Sequence, residues 1–525
     1  MNSHGWYRLC AELKNDARRF ARQDVALRVG ADLIAVCSSV ILAFVACYFF
    51  CSAILDTQPS AQLAQPFKAL LISHAWIWSL LAPVIFQLHG FYTRTRGYAG
   101  RYKMLIVARA VTFLVLAWVL ADQILDRGQV FPPMVALLSW VFLLATVGGS
   151  RFVRDRLFEL YRVEPRPSPG KPERVLVLGG AGYLGSALVP MLLERGYRVR
   201  VLDSLIFGRA SLQAVAEHPN FELIAGDIRD IRAVVETMKH CDAVVDLAAI
   251  VGDPACEENP KLATEINRAA TRMLIDVSRG YGIQRFLLAS TCSVYGASEF
   301  LMDEHARVGP ISLYARTKVD SESLLLETKC TDFHPTILRL ATLFGVSPRP
   351  RFDLVVNLLT ARAIRTGKIT VFNGEQWRPF MHVYDAARAF LTCLEVSSVE
   401  TVSGEIFNAG SYELNCRLAE LAGKISAIVP GLIVEEVEND DRRNYRVSFD
   451  KIHCRLGFVC QRSLEQGIQE IAAMMSTPEV KDFSGEMFNN QAMLRLYSQS
   501  PSAVHSSISI LENLAKAQYA GQGAR

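Results

Sequence analysis

Hydrophobic positions divide the chain into two regions. Between residues 30 and 149 apolar side chains run almost unbroken through four stretches, near 30–54, 69–89, 105–125 and 131–149. Each approaches the roughly 20 residues needed to cross a hydrocarbon core. Four in succession predict four transmembrane helices within 29–150. Buried helices of a soluble protein can be equally apolar, but the charges between the stretches argue against that. Arg94, Arg96, Arg101 and Lys103 separate the second from the third, and Arg151, Arg154, Arg156 and Arg162 follow the fourth. The other two connections, around Asp56 and Asp126, hold only Lys68, at the edge of the second stretch, and Arg127 as basic residues. Basic loops stay on the cytoplasmic side, so both termini are expected there. Residues 1–28 form a basic amphipathic start with Arg18, Arg19, Arg22 and Arg28, too charged for a signal peptide. Arg109 falls near the cytoplasmic end of the third span, where it can snorkel. Trp76, Trp78, Trp118 and Trp140 read as interfacial anchors or lipid-facing bulk.

After residue 150 the pattern changes. Residues 151–173 are a basic, Pro-rich linker. From 174 to about 490, short apolar runs end in glycine, small or hydroxyl residues and lead into helical stretches. Val175–Leu178 reads as a buried parallel strand. It breaks at Gly179, Gly180, Gly182 and Gly185, a helix follows over Leu184–Glu194, and a second strand covers Tyr197–Leu202. Further strands are expected at Phe221–Leu223, Cys241–Leu247 and Arg285–Ala289. This is the pattern of an α/β chain with a Rossmann-type doubly wound parallel sheet. A cofactor-binding part over 174–345 and a smaller C-terminal α/β substrate subdomain over 346–470 are expected. Residues 491–525 read as a flexible polar tail, poor in apolar periodicity beyond about Tyr497.

Composition sharpens this reading. Of the 525 residues, 51% are hydrophobic and the mean hydropathy is +0.20, high for a soluble enzyme. The net charge of +4 gives no reason to expect nucleic acid. The 12 cysteines form no CxxC pair and no His/Cys cluster. Neither a metal site nor a disulfide scaffold is therefore indicated, and the thiols read as small apolar fillers in a reducing compartment.

The chemistry begins at the glycines. Gly179 allows a tight turn, Gly182 lets backbone approach a pyrophosphate, and Gly185 permits close helix–sheet packing. The helix N-terminus offers free N–H groups to phosphates. Asp203 ends the second strand, where a carboxylate can accept both ribose hydroxyls and would repel a 2′-phosphate. NAD is therefore expected rather than NADP. Asp227, at a later strand end, is the candidate for the adenine amine, with an ordinary loop acid as the competing reading. Ala248 and Ala249 leave room for the cofactor backbone, and Asn267 is a candidate to brace a neighbouring strand. Ser290, Thr291 and Ser293 lie at a strand mouth, where parallel sheets bind ligands. Tyr314 and Lys318 are four residues apart on one helical face. An ammonium beside a phenol, together with a positive nicotinamide, lowers the tyrosine pKa toward that of a general base.

In combination these motifs resemble the extended short-chain dehydrogenase/reductase family, and within it the NAD-dependent nucleotide-sugar epimerases and dehydratases. The glycine pattern matches Gly179 to Gly185, with Leu178 where Thr is usual, and the Tyr-x-x-x-Lys pair matches Tyr314 and Lys318. The resemblance implies Thr291 as the catalytic hydroxyl and adds Tyr183, Leu184 and Ile228 to the cofactor contacts. It implies substrate contacts at Thr342, Leu354, Arg378 and Arg443, the last favoured over Arg442. Asn is usual near Thr342, so that contact departs from the family pattern. The arginine fork suits a diphosphate, although ordinary surface arginines are the alternative. His382 reads as a packing residue. The first half resembles, more loosely, the membrane region of bacterial polysaccharide-biosynthesis proteins, through its layout and the segment LHGFYTRTR.

The expected function is a multi-pass enzyme of a bacterial inner membrane with its catalytic half in the cytoplasm. It would be an NAD-dependent sugar epimerase, acting at C4 through a 4-keto sugar. A sugar nucleotide or a polyprenyl-diphosphate sugar is the expected substrate, in cell-envelope polysaccharide synthesis. Membrane lipids are further partners, and a second copy of the chain and a membrane glycosyltransferase stay open. A 4-keto-sugar reductase shares every residue named. A 4,6-dehydratase is less favoured, because related dehydratases place Asp and Glu directly after the catalytic Thr, where this chain has Cys292 and Ser293. A scaffold that binds NAD without turnover would not need Tyr314, Lys318 and Thr291 intact.

Overall fold

The computed structural model describes residues 29–50, 77–89, 91, 100–125, 133–151, 172–477, 480 and 483–499. The basic start, most of the linker and most of the charged loop between the second and third spans lie outside the described residues, while Arg101 and Lys103 fall within a helix. The chain divides into two compact units, Met1–Glu164 and Pro165–Arg525.

In the first unit, three helices are long and apolar enough to cross a membrane: α1, Val29–Phe50, the Met104–Ala121 portion of α3, Gly100–Leu125, and α4, Pro133–Arg151. Of the four expected spans, three are therefore present at full length among the described residues. The second stretch contains the shorter apolar helix α2, Ile77–Leu88, and the residues before it are outside the described set. The number and hydropathy of these helices make this a multi-pass membrane protein. Ile34, Leu80, Leu116 and Leu137 are turned outward, the apolar surface that lipid requires. Polar groups turn inward and pair. Ser39 Oγ and Thr146 Oγ1 lie 2.8 Å apart. The Arg151 guanidinium grips both oxygens of Asp32 at 2.8 and 2.9 Å and covers the Phe91 ring. The tryptophan expectation is also corrected. Trp78 and Trp118 are buried with ring centroids 4.3 Å apart, so they fill the bundle interior. Trp140 donates its Nε1–H to Thr112 Oγ1 at 2.9 Å. Arg109 lies over the Phe113 ring on its own helix.

The second unit is built on a seven-stranded parallel sheet. Its strands are β1, Arg174–Leu178, β2, Arg198–Asp203, β3, Phe221–Ala225, β4, Ala243–Asp246, β5, Arg285–Thr291, β7, His334–Leu340, and β11, Glu405–Ala409. Their order is β11-β7-β5-β4-β1-β2-β3. Val175, Val177, Val199, Val201 and Val245 are fully or almost fully buried. Strands covered on both faces need such continuous apolar runs. Chain order reverses at β1, between β2 and β4, so a crevice opens beyond the strand ends there. Helix α5, Gly185–Glu194, starts one residue later than expected, and β2 starts one later.

The remaining strands form the smaller subdomain. They are β6, Ala297–Met302, β8, Thr342–Phe344, β9, Lys368–Phe372, β10, Trp377–His382, β12, Asn415–Arg417, β13, Ile433–Val437, and β14, Asn444–Val447. They pair as β12-β10-β8, β13-β9 and β14-β6. Phe344, Phe352, Phe380, Leu421 and Ile468 share its separate core. One boundary is corrected. The chain does not become a tail at 491, because a helix covers Asn490–Gln499.

Candidate active site

A cavity of about 1000 Å³ runs from the glycine turn to the subdomain. A smaller one adjoins it at the ends of β2 and β3. Together they gather every residue singled out above for cofactor, substrate or catalysis.

The turn is held by its glycines. Gly179 has φ +77°, and a Cβ there would meet the Ala248 backbone at 3.0 Å. A Cβ on Gly185 would fall 2.4 Å from Gly179 O and 2.6 Å from Gly180 Cα. Gly185 therefore tightens the turn itself. Close packing on the sheet falls instead to Gly180, whose Cβ would strike the Val201 side chain at 2.7 Å. Gly182 lines both cavities. Asp203 lines the smaller one and accepts the N–H groups of Ala181 at 2.9 Å and Leu205 at 2.8 Å. Burial raises its pKa despite those bonds.

Asp227, Ile228, Ala248 and Ala249 line the same space. Asp227 is not a bare loop acid. Both of its oxygens are engaged by Arg229, Nε to Oδ1 at 3.1 Å and Nη2 to Oδ2 at 2.6 Å. Asn267 braces a loop and a helix rather than a strand. Its Oδ1 accepts Ile250 N–H at 2.8 Å, and its Nδ2 donates to Ile250 O at 3.0 Å and Thr317 Oγ1 at 3.3 Å. Tyr183 gives its hydroxyl to Gly345 O at 2.6 Å, tying the glycine turn to the loop after β8. Leu184, Thr342 and Leu354 line the larger cavity.

Thr291, at the end of β5, caps the turn after it by accepting Ser293 N–H at 3.1 Å, and donates to Ser293 Oγ at 3.1 Å. Ser293 in turn lies 3.3 Å from the Tyr445 hydroxyl. Tyr314 and Lys318 sit on α7, Leu313–Leu326, which is capped by Ser312. Lys318 donates Nζ–H to Ala289 O at 2.8 Å. Burial pushes the Tyr314 phenol up, and Cys256 and Asp253 add to that. Burial also lowers Lys318, against the opposing charge of Asp246. Without a cofactor the phenol is thus held high by burial, and the expected depression also counts on the positive nicotinamide. Asp246, fully buried at the end of β4, is raised to about 6 by burial.

At the far end, Arg378 and Arg443 face the cavity but are already paired. Arg443 binds Asp441 at 2.6 Å and Asp253 at 2.7 Å. Arg378 reaches Asp441 at 3.3 Å and Gln376 at 2.8 Å. His382 is buried, 2.8 Å from Glu470.

Two residues escaped sequence reasoning. Arg349 is buried over the Phe207 ring, 3.6 Å from its centroid. Its Nε and Nη2 lack partners among the described residues. Burial, then the neighbouring Arg351, lowers it to about 9. The PRPR run placed two arginines there, but no periodicity marks that both turn inward. Asn490 stood at the last position of the expected domain, with no motif around it.

These residues fit a dinucleotide. A side-chain-free turn, a carboxylate at the end of β2 and an orphaned buried guanidinium share one crevice, as a ribose and a pyrophosphate require. The fold and site define a dinucleotide-dependent enzyme with a Tyr–Lys pair. The comparisons specify it further. Residues 175–410 match the model of the NAD dependent epimerase/dehydratase family. The low-salt glycan biosynthesis protein Agl12 of Haloferax volcanii is 30% identical over 308 residues, 56% of this chain and 96% of that protein. The structure of MoeE5 in complex with UDP-glucuronic acid and NAD is 26% identical, with a TM-score of 0.51, over 57% of this chain and 98% of that one. The NAD-bound dTDP-glucose 4,6-dehydratase DesIV of Streptomyces venezuelae is also 26% identical, with a TM-score of 0.51, over 57% and 97%. The chain belongs to the NAD dependent epimerase/dehydratase family and is an NAD-dependent enzyme.

Proposed function

We propose that this protein is a membrane-anchored sugar epimerase that inverts C4 of a nucleotide-linked or polyprenyl-diphosphate-linked sugar through a 4-keto intermediate. Complexes of MoeE5 with UDP-glucuronic acid and with UDP-glucose support the substrate class. The basic loops support a cytoplasmic catalytic unit.

One observation favours epimerisation over dehydration. Loss of water across C5 and C6 needs an acid and a base beside the catalytic hydroxyl. The next side chain, Cys292, is buried, donates to Arg339 O at 3.2 Å, and is pushed further up by burial. Ser293 is engaged with Thr291 and Tyr445. Among the described residues, the carboxylates lining the larger cavity are Asp253, Asp353 and Asp441, and each is ion-paired with arginine.

In this reading Tyr314 takes the proton of the sugar 4-hydroxyl and later returns one. Thr291 holds the same oxygen and links it to Ser293 and Tyr445. Lys318, fixed on Ala289 O, contributes positive charge beside the phenol. Arg378 and Arg443 hold the diphosphate at the far end. NAD⁺, when bound, supplies the reversible hydride transfer at C4. The protein contributes position and charge.

The test is product analysis by NMR, using the full chain with UDP-, GDP- and polyprenyl-linked sugars and no added reductant. A C4 epimer with unchanged total NADH is expected, and Tyr314→Phe should abolish it while bound NAD is retained. A 4-keto-6-deoxy product would establish the dehydratase. Turnover only with stoichiometric NADH would establish the reductase.

A further inference from the structure

Helix α8, Asn490–Gln499, borders the dinucleotide crevice. Asn490 lines both cavities, and Leu494 lines the smaller one with Asp203, Ile228, Leu262 and Ile266. Three parts of the unit hold the helix and the turn before it. Glu258, the last residue of α6, Asp253–Glu258, accepts Gln491 Nε2–H at 2.9 Å and pairs with Arg495. Asp353 Oδ2 accepts Asn490 N–H at 3.1 Å. Phe352 N–H donates to Phe488 O at 2.9 Å. Leu494 packs on the cluster of Ile250, Ala255 and Cys256.

Asn490 is only 8% exposed, yet its Oδ1 has no partner among the described residues. A buried amide oxygen seeks a donor. The diphosphate of NAD offers only acceptors. Both nucleoside halves offer donors, but Asn490 shares the smaller cavity with Asp203, Asp227 and Ile228, the side read for adenosine, whose ribose hydroxyls and adenine amine can donate. The aliphatic lining around Leu494 also suits an adenine ring.

We propose that α8 is a wall of the cofactor site, with Asn490 accepting a hydrogen bond from the adenosine half of NAD and Leu494 packing on it. The C-terminal segment is then part of the binding site and slows cofactor release. That suits an enzyme whose NAD returns its hydride to the same sugar. The inference rests on adenosine lying at the end of β2.

The experiment measures exchange of bound NAD for labelled NAD in full-length protein in detergent, with ADP and nicotinamide mononucleotide as competitors. Asn490→Ala should exchange about tenfold faster, the loss of one hydrogen bond. It should weaken competition by ADP about tenfold and leave nicotinamide mononucleotide unchanged. Arg495→Glu, which turns the pair with Glu258 into repulsion outside the cavity, should also speed exchange, and adding Glu258→Arg should reverse that. Wild-type exchange and ADP competition in Asn490→Ala would overturn the proposal. If Asp203→Ala leaves ADP competition unchanged, adenosine does not lie at β2, and the underlying placement fails first.

Discussion

The strand that carries Thr291 and the helix that carries Tyr314 are joined by one buried polar network, and cutting it should disturb stability and catalysis together. Glu322 lies one turn beyond Lys318 on α7. It accepts Arg339 Nη2–H at 2.7 Å and Nε–H at 3.1 Å, as well as the Ser290 hydroxyl. Arg339, on β7, also donates to the Tyr295 hydroxyl at 3.0 Å, and Tyr295 donates to Asn408 at 2.7 Å. The two charged side chains are 5% and 4% exposed. Arg339→Met would leave the Glu322 carboxylate buried with only Ser290 beside it, at a cost of ~3–5 kcal/mol. Total domain stability is only ~5–15 kcal/mol, so the loss should be obvious. Adding Glu322→Leu removes the stranded charge. What then remains is mainly the unpaired Ser290 hydroxyl, ~1–3 kcal/mol, since Tyr295 keeps Asn408. The double variant should therefore be more stable than Arg339→Met alone. Urea unfolding of the full chain in detergent, followed by circular dichroism, measures both. Because the network sets β5 against α7, turnover should fall more than substrate affinity in the single variant. An Arg339→Met protein within ~1 kcal/mol of wild type, or a double variant no more stable than it, would refute the reasoning.

Gly185→Ala should purify without NAD, because its Cβ would meet Gly179 O at 2.4 Å, and the absorbance of released cofactor checks this. NAD should support activity better than NADP in cofactor-stripped protein if Asp203, which lines the smaller cavity, meets the adenosine ribose as proposed. Equal activity with NADP would remove that role from Asp203. Asp246, raised to about 6 by burial, binds its proton more tightly when folded than when unfolded. Its contribution is therefore complete below the unfolded carboxylate range and lost as pH rises through about 6. Each tenfold difference in proton affinity between the folded and unfolded chain is worth about 1.4 kcal/mol. Asp246→Asn should flatten the fall in stability over that window, which unfolding midpoints at successive pH values would show.

Much of this molecule is legible in its sequence because local patterns impose it. Val175–Leu178 running into glycines can form little other than a buried strand and a tight turn. Apolar stretches of membrane length make helices whatever surrounds them, and a Tyr and a Lys four apart share a helical face wherever the helix goes. The places where the sequence reading failed are those where the answer depends on a distant partner. Trp78 and Trp118 could have faced lipid, until the bundle stacked them against each other. The phenol of Tyr314 could have stood in solvent, until the fold buried it beside Cys256 and Asp253 and pushed it up. Arg378 and Arg443 could have been free cations, until Asp441 and Asp253 paired with them. Arg349 and Asn490 look like ordinary polar residues in a loop and near a terminus. Only the fold buries them against a cofactor crevice with atoms unsatisfied. Periodicity and spacing act along the chain and can be read from it. Burial and electrostatic environment are set by residues far apart in sequence, and those the tertiary structure alone decided.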